Sequence, residues 1–232
     1  MTASEGQALG TPLPGWTARP MPAACPLLGQ HCTLEPLVPR RHAADLYAAL
    51  AGDEAGWTWM GYGPFLNAEA YRAWADRYAG RSDPQMFAVL DRAGPAGVLA
   101  LHRIQPDHGT VELGHIRFSP RLQRTTAATE AIVLILRRLF DDLGYRRVEW
   151  KCDVLNTPSR RAAERLGFLF EGVFRNHLVV KGRNRDTAWY AMTDTDWPAR
   201  ARGYALWLAE AADGPQRLSL SAVLAEVMAS RS

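Results

Sequence analysis

The hydrophobic and polar positions along the chain change their period several times, and these changes divide the sequence into strands and helices. The clearest alternation runs over residues 147–154, where Val148, Trp150 and Cys152 share one side and charged residues the other. A period of two residues is typical of a strand with one buried face. The segment over residues 129–143 has apolar residues at helical spacing instead, which predicts a buried amphipathic helix.

The same reasoning, with Gly and Pro residues as boundaries, predicts the remaining elements. Strands are expected over residues 31–37, 86–90, 97–104, 110–118, 168–180 and 186–193, and helices over residues 43–51, 67–78, 157–167, 198–212 and 219–229. A loop is expected over residues 119–128. A meander of strands followed by a strand–helix–strand crossover predicts an α/β (α+β) fold, with a mixed, mostly antiparallel central sheet flanked by helices on both faces.

Three parts of the chain differ in composition. Residues 1–28 are rich in proline, which predicts an extended or partly disordered arm that Trp16 would pin to the domain surface. Residues 29–197 are expected to form the main domain, and residues 198–232 a helical extension that suggests a dimer arm or a lid. The prolines of the arm are Pro12, Pro14, Pro20, Pro22 and Pro26.

Composition and charge exclude several classes of protein. The formal net charge is only +3, and the Arg residues are too scattered to indicate nucleic acid, whereas an anionic cofactor is compatible with this balance. The three cysteines form no CxxC pair, and the histidines have no metal-binding spacing. Neither a signal peptide nor an apolar run long enough to span a bilayer is apparent. We therefore expect a cytoplasmic protein without a metal, a membrane or a nucleic-acid partner.

The segment over residues 112–131 carries the strongest indication of chemistry. It is predicted to comprise a strand, a short loop and the beginning of a long helix. Unpaired N–H groups and the positive end of the helix dipole meet at such a junction, which can hold a phosphate without any basic side chain. Most junctions of this kind bind nothing, so the geometry alone leaves a phosphate site open.

Two motifs resemble those of the GNAT superfamily of N-acetyltransferases. The run 123–128 resembles the acetyl-CoA signature Q/R-x-x-G-x-G/A, with Thr126 where the family has its central Gly. A second stretch, over residues 156–175, is similar to N-x-x-S…E-x-L-G-F…E-G-x-x-R. The resemblance covers roughly residues 30–197 and is closest to the group that includes the ribosomal-protein N-acetyltransferases. The two motifs are Gln123-Arg124-Thr125-Thr126-Ala127-Ala128 and Asn156, Ser159, Glu164, Leu166-Gly167-Phe168, Glu171-Gly172 and Arg175.

The resemblance implies that acetyl-CoA is the acyl donor and that an amine attacks its thioester directly. The backbone of the strand before the loop would pair with the pantetheine arm and supply an oxyanion donor, and the loop would hold the pyrophosphate. The residues implied in cofactor binding are Ile116, Arg117, Phe118, Gln123, Arg124, Thr125, Thr126, Ala127, Ala128, Asn156 and Ser159.

Two residues are candidates for proton transfer, each with a structural alternative. An ammonium has a pKa of roughly 10 and must lose a proton before it attacks. Glu112 lies where some family members keep their base, but it could equally be paired with a Lys or Arg. Ser159 matches a serine that some relatives place near the CoA sulfur, but it could also be an ordinary residue of a first helical turn. The Tyr that many relatives use as general acid is absent, since Ala162 and Ala163 occupy that region.

Several alternatives stay open at the level of sequence. The acceptor is expected to be a small-molecule or peptide amine. The oligomeric state stays open, with a homodimer as one alternative. A degenerate GNAT module that binds acyl-CoA as a sensor or scaffold is the competing function, motivated by Thr126 and the missing Tyr. The aromatic loop at Trp57, Trp59, Tyr62 and Phe65 could line an amine pocket or simply pack, and His115 is expected to be structural.

Overall fold

A single sheet organises the part of the chain that the computed structural model describes, which is residues 8–212 and 218–230. Its strands lie in the order β1-β2-β3-β4-β5-β6-β8-β7. Only β5 and β6 pair in parallel, so the sheet is mixed and mostly antiparallel. The strands are β1 (Leu27–Leu28), β2 (Thr33–Pro36), β3 (Gln85–Asp91), β4 (Gly94–Gln105), β5 (Thr110–Phe118), β6 (Arg147–Asp153), β7 (Leu169–Val180) and β8 (Arg183–Thr193).

Helices cover both faces of the sheet. Helices α1 and α2 pack on one face, whereas the opposite face is covered by α3, α4, α5 and α6. This arrangement confirms the predicted fold class. The helices are α1 (Pro39–Leu50), α2 (Ala68–Tyr78), α3 (Thr126–Arg137), α4 (Thr157–Arg165), α5 (Trp197–Ala212) and α6 (Leu220–Ala229).

The two faces of the sheet are buried to different extents. Along β4, Leu99 and Leu101 belong to the core under α3, whereas Val98 and Ala100 belong to the core under α1 and α2. The second core includes strand residues of β3 and β4 but none of β5 to β8. Polar side chains therefore occupy the continuation of this face, and they form the floor of the site described below.

Helices α1 and α3 begin earlier than predicted. Helix α1 starts at Pro39 rather than at residue 43, because the fixed φ of proline suits the first helical position. The Thr125 side chain accepts a hydrogen bond from the Ala128 N–H (3.1 Å) and caps α3, which then starts at Thr126. The predicted loop over residues 119–128 is therefore wrong at its end, where residues 126–128 form the first turn of a helix.

The terminal segments contact the main body of the fold. Trp16 donates its indole N–H to the carbonyl of Asp107 (2.8 Å). The Arg19 guanidinium lies 4.3 Å from the centre of the Trp16 ring. At the other end, Tyr204 and Leu224 are buried in the core under α3. The division into an arm, a domain and an extension stays a prediction. Residues 1–7 of the arm, and the break expected at Gly214–Pro215, lie outside the described residues.

Candidate active site

A cleft opens between β5 and β6, where the two strands diverge. They pair only between Thr110–Glu112 and Arg147–Glu149, so the rest of β5 has a free edge on this side. Opposite this edge, the pairing of β5 with β4 is interrupted by a bulge at His115, whose φ is +52°. Beyond Glu112, the edge of β5 that faces β6 therefore has no strand partner, as a strand edge has before another chain pairs with it. The Phe118 carbonyl at its end already accepts hydrogen bonds from the side chains of Arg117 and Gln123.

The first turn of α3 follows directly after β5 and has unused hydrogen-bond donors. The backbone N–H groups of Arg124, Thr126 and Ala127 form no hydrogen bond within the described chain. Arg124 has a φ of +61°, which turns the chain into the helix, and the Gln123 side chain donates to the carbonyl of Phe118 (2.9 Å). These unused N–H groups lie at the helix N-terminus where the sequence predicts an anion site, and the binding of an anion there stays a prediction.

Arg117 has a side chain that does not face the cleft. It is 3% exposed, and its guanidinium donates to the carboxylate of Asp53 (2.9 Å) and lies 4.8 Å from the centre of the Trp57 ring. Only the backbone of Arg117 is available to a cofactor. Its side chain instead fixes the aromatic loop that follows α1.

A cavity of about 380 Å³ lies at the cleft and brings several of the predicted residues together. Of those residues, Glu112, Ile116, Asn156 and Ser159 line it, whereas Arg117, Phe118 and the run 123–128 do not. Further lining residues come from the aromatic loop, from β4, β5 and β6, and from the β7–β8 hairpin: Trp59, Met60, Tyr62, His102, Arg103, His115, Lys151, Asp153, His177, Leu178, Arg185 and Thr187.

Ser159 and Asn156 reach the cavity from the start of α4. Asn156 caps the helix by accepting a hydrogen bond from the Ser159 N–H (3.2 Å). The Ser159 hydroxyl accepts one from the indole N–H of Trp150 (3.0 Å). Because its oxygen is already held as an acceptor, the hydroxyl hydrogen is left to donate.

Glu112 is a buried carboxylate surrounded by positive partners. It is 5% exposed, and its oxygens lie 2.6 Å from Arg103 Nη1, 2.9 Å from Lys151 Nζ and 3.0 Å from His102 Nε2. Burial alone would raise the pKa of Glu112, but the contacts with His102 and Lys151 lower it to about 2. A carboxylate with so low a pKa is a weak acceptor for the proton of an amine.

His102 is a functional candidate that the sequence analysis missed. It lies directly opposite Glu112 across the β4–β5 pair and lines the cavity. An ionised carboxylate can only accept, so the Nε2 that faces it carries the hydrogen, and the lone pair of neutral His102 is on Nδ1. Nδ1 forms no hydrogen bond within the described residues. A Cβ at Gly114 would collide with Nε2, so this position requires glycine.

His115 also lines the cavity, although the sequence favoured a structural role. Its Nδ1 lies 3.0 Å from the Tyr62 hydroxyl, and the two rings are stacked. Burial is the main cause that lowers the pKa of His115 to about 4, so it is uncharged at neutral pH. The aromatic loop both packs into the core and lines the cavity, since Trp57 is buried whereas Trp59 and Tyr62 face the cavity.

Comparison with known proteins decides the family. The family described as "Acetyltransferase (GNAT) domain" matches residues 31–169, which is more than half of the chain. The chain belongs to the GNAT family of acetyltransferases. A crystal structure of a GCN5-related N-acetyltransferase from Brucella melitensis is 44% identical, covers 91% of this chain and 99% of its own, and has a TM-score of 0.88.

Two further relatives extend the comparison. "Putative ribosomal N-acetyltransferase YdaF" of Bacillus subtilis (strain 168) is 25% identical over 73% of this chain and 95% of its own length. The microcin C7 self-immunity acetyltransferase MccE, whose crystal structure is a complex with acetyl-CoA and AMP, shares the fold at 20% identity. It covers 71% of this chain and 93% of its own, with a TM-score of 0.65.

This GNAT chain is an acetyl-CoA-dependent N-acetyltransferase. The resemblance to the group of ribosomal-protein N-acetyltransferases is thereby confirmed. Among the described helices, none is long and apolar enough to cross a bilayer. The described residues also contain no group of His, Cys, Asp and Glu that could hold a metal ion.

Proposed function

We propose that the protein transfers an acetyl group from acetyl-CoA to a primary amine by direct attack. The observation that carries this proposal is the contact between Glu112 and His102 at the floor of a cleft lined by an open strand edge. The pair offers a partly buried, oriented imidazole beside the point where β5 and β6 separate. A positioned imidazole is the commonest proton acceptor in enzymes that work near neutral pH.

The residues around the cleft fit acetyl-CoA. The free N–H groups of Arg124, Thr126 and Ala127 suit the pyrophosphate. The open edge from Ile116 to Phe118 suits the amides of the pantetheine arm, and the Asn156 side chain lies beside it in the cavity. When bound, acetyl-CoA supplies the activated acyl group as a thioester.

In this proposal His102 takes the proton from the attacking amine. Glu112 holds the ring of His102 and keeps the hydrogen on Nε2, so that Nδ1 is the free base. Glu112 thus contributes to proton transfer by positioning His102 and does not itself take the proton. This role is consistent with its place on β5 and with its low pKa. Ser159, with a hydroxyl hydrogen free to donate, supplies a hydrogen bond to the departing thiolate.

Thiol release from acetyl-CoA tests the proposed function. The purified protein is assayed across a panel of amines that includes amino acids, polyamines and short peptides. Turnover with at least one class supports the proposal. Tight binding of CoA in calorimetry without turnover on any amine would favour the sensor or scaffold instead.

Replacing Thr126 tests the pyrophosphate site. Thr126 occupies the first helical position, where proline is tolerated but lacks an N–H. We expect Thr126→Pro to weaken CoA binding about tenfold or more, because a hydrogen bond to a charged group is lost. Thr126→Gly keeps the N–H, so its dissociation constant for CoA should either stay within about threefold of the wild-type value or fall below it. Calorimetric titration with CoA measures both, and a large loss in the glycine variant would assign the contact to the hydroxyl.

Replacing Ser159 tests the proposed donor. We expect Ser159→Ala to lower kcat about tenfold, since a hydrogen bond to a charged leaving group contributes roughly 1.5–3 kcal/mol. The dissociation constant for CoA should stay within about threefold. Steady-state kinetics and titration measure the two quantities. An unchanged kcat would mean that Ser159 accepts the hydrogen bond from Trp150 but does not donate one to the leaving group.

A further inference from the structure

The acceptor side of the cavity is bounded by two segments that contact each other. The β7–β8 hairpin contributes His177, Leu178, Arg185 and Thr187, and the aromatic loop contributes Trp59, Met60 and Tyr62. Near the tip of the hairpin, Lys181 donates a hydrogen bond from Nζ to the carbonyl of Trp57 (2.9 Å). The two walls are therefore joined, which favours an acceptor small enough to lie between them.

Some of the cationic side chains that line this cavity contact carboxylates of the protein, and one does not. Arg103 and Lys151 both contact the carboxylate of Glu112, and Lys151 also contacts Glu149 (2.6 Å). Lys151 lies against the face of the Trp189 ring, 3.7 Å from its centre, and is shielded from solvent. The charges of both cations are therefore compensated by carboxylates of the protein itself, although Arg103 uses only one of its terminal nitrogens for Glu112.

Arg185 is a cavity-lining cation without a carboxylate partner. Its Nε donates to the hydroxyl of Thr187 (3.2 Å), which leaves its terminal nitrogens without a hydrogen bond within the described residues. Asp153 is the other carboxylate among the described residues that line the cavity, and it accepts from the Leu155 N–H (2.9 Å) without forming an ion pair with Arg185. Arg185 shares a face of the sheet with Thr187 and Trp189, opposite the face buried under α3.

We infer that the amine acceptor carries a carboxylate, which pairs with the guanidinium of Arg185. This inference rests on the proposed function and names the substrate class of the same site. A planar guanidinium with free terminal nitrogens matches a carboxylate in a two-point contact. Because the amine must reach His102 within the same cavity, the acceptor is an amino acid or a compound of similar size.

Matched substrates test the inference. Each proteinogenic α-amino acid is compared with its C-terminal amide, which keeps the amine but removes the negative charge. We expect the wild-type protein to favour the acid over the amide at least tenfold in kcat/KM. Arg185→Gln should lower kcat/KM for the acid about 10- to 100-fold and leave the amide within about threefold. The amide amine loses its proton more easily, so this bias works against the expected preference.

Two variants control the experiment. Arg185→Lys keeps the charge without the planar geometry and should retain part of the preference for the acid. Arg183→Gln removes a neighbouring charge from an exposed residue that does not line the cavity, and it should leave the preference unchanged. Melting temperatures of all variants check that the hairpin is intact.

Three results would overturn the inference, and they differ in whether the proposed function is rejected with it. Equal kcat/KM for acids and amides would reject it while the proposed function stands. A higher KM for acetyl-CoA in Arg185→Gln, with the acid-to-amide ratio unchanged, would assign Arg185 to the cofactor. Binding of acetyl-CoA without turnover on any amine would reject the proposed function, and the inference with it.

Discussion

Replacing His102 with Ala is expected to lower kcat at least about 100-fold, while the dissociation constant for acetyl-CoA stays within about threefold. A positioned general base contributes roughly 10²–10⁴-fold to a rate, and Nδ1 of His102 is the free nitrogen that Glu112 leaves available. The side chain lies on the polar face of the sheet, away from the first turn of α3. Steady-state thiol release and calorimetric titration measure the two quantities.

A second variant distinguishes a base from a residue that only shapes the cavity. Glu112→Gln keeps the shape of the side chain but removes the charge that orients the His102 ring. We expect it to lower kcat less than His102→Ala does. A loss in Glu112→Gln that exceeds the loss in His102→Ala would make Glu112 itself the base.

The register that places His102 opposite Glu112 could not be predicted from the sequence. Counting back from the turn between β4 and β5, with Gln105 opposite Thr110, puts Arg103 opposite Glu112. The structure has a bulge in β4, with Arg103 at a φ of +49°, and this extra residue moves His102 into the pair. The Asp83 carboxylate stabilises the bulge by accepting hydrogen bonds from the N–H groups of Arg103 and Ile104, both 3.0 Å. That contact is distant in sequence, and no local pattern indicates it.

Features that depend on local sequence were predictable, and features that depend on distant contacts were not. The alternation along β6, and Asn156 with Pro158 at the start of α4, follow from neighbouring residues. The strand–loop–helix junction likewise predicted the free N–H groups of α3. Arg117 stands in the same segment, yet its side chain turns away to Asp53 and Trp57, which follow α1. A motif thus predicts the course of the backbone better than the direction of each side chain.

Glu130 extends this distinction, because it lies just after the run 123–128 that resembles the cofactor signature but holds another part of the fold. It is 5% exposed on α3. Its two oxygens accept hydrogen bonds from three consecutive backbone N–H groups just before β2: Gln30 (2.8 Å), His31 (2.7 Å) and Cys32 (2.9 Å). Burial, and then the negative charge of Glu130, raises the pKa of the Cys32 thiol.

Replacing Glu130 with Ala is therefore expected to destabilise the fold by about 3 kcal/mol, because three N–H groups lose their acceptor at roughly 1 kcal/mol or more each. For a chain of this size, that loss corresponds to a fall in melting temperature of about 6–12 °C. Glu130→Gln keeps one acceptor oxygen and should lose about half as much. Thermal unfolding followed by circular dichroism measures the loss, and calorimetric titration with CoA runs in parallel. Weaker CoA binding at an unchanged melting temperature would contradict the structural role and indicate a contribution of Glu130 to the cofactor site. The contacts to Gln30, His31 and Cys32 require the opposite result.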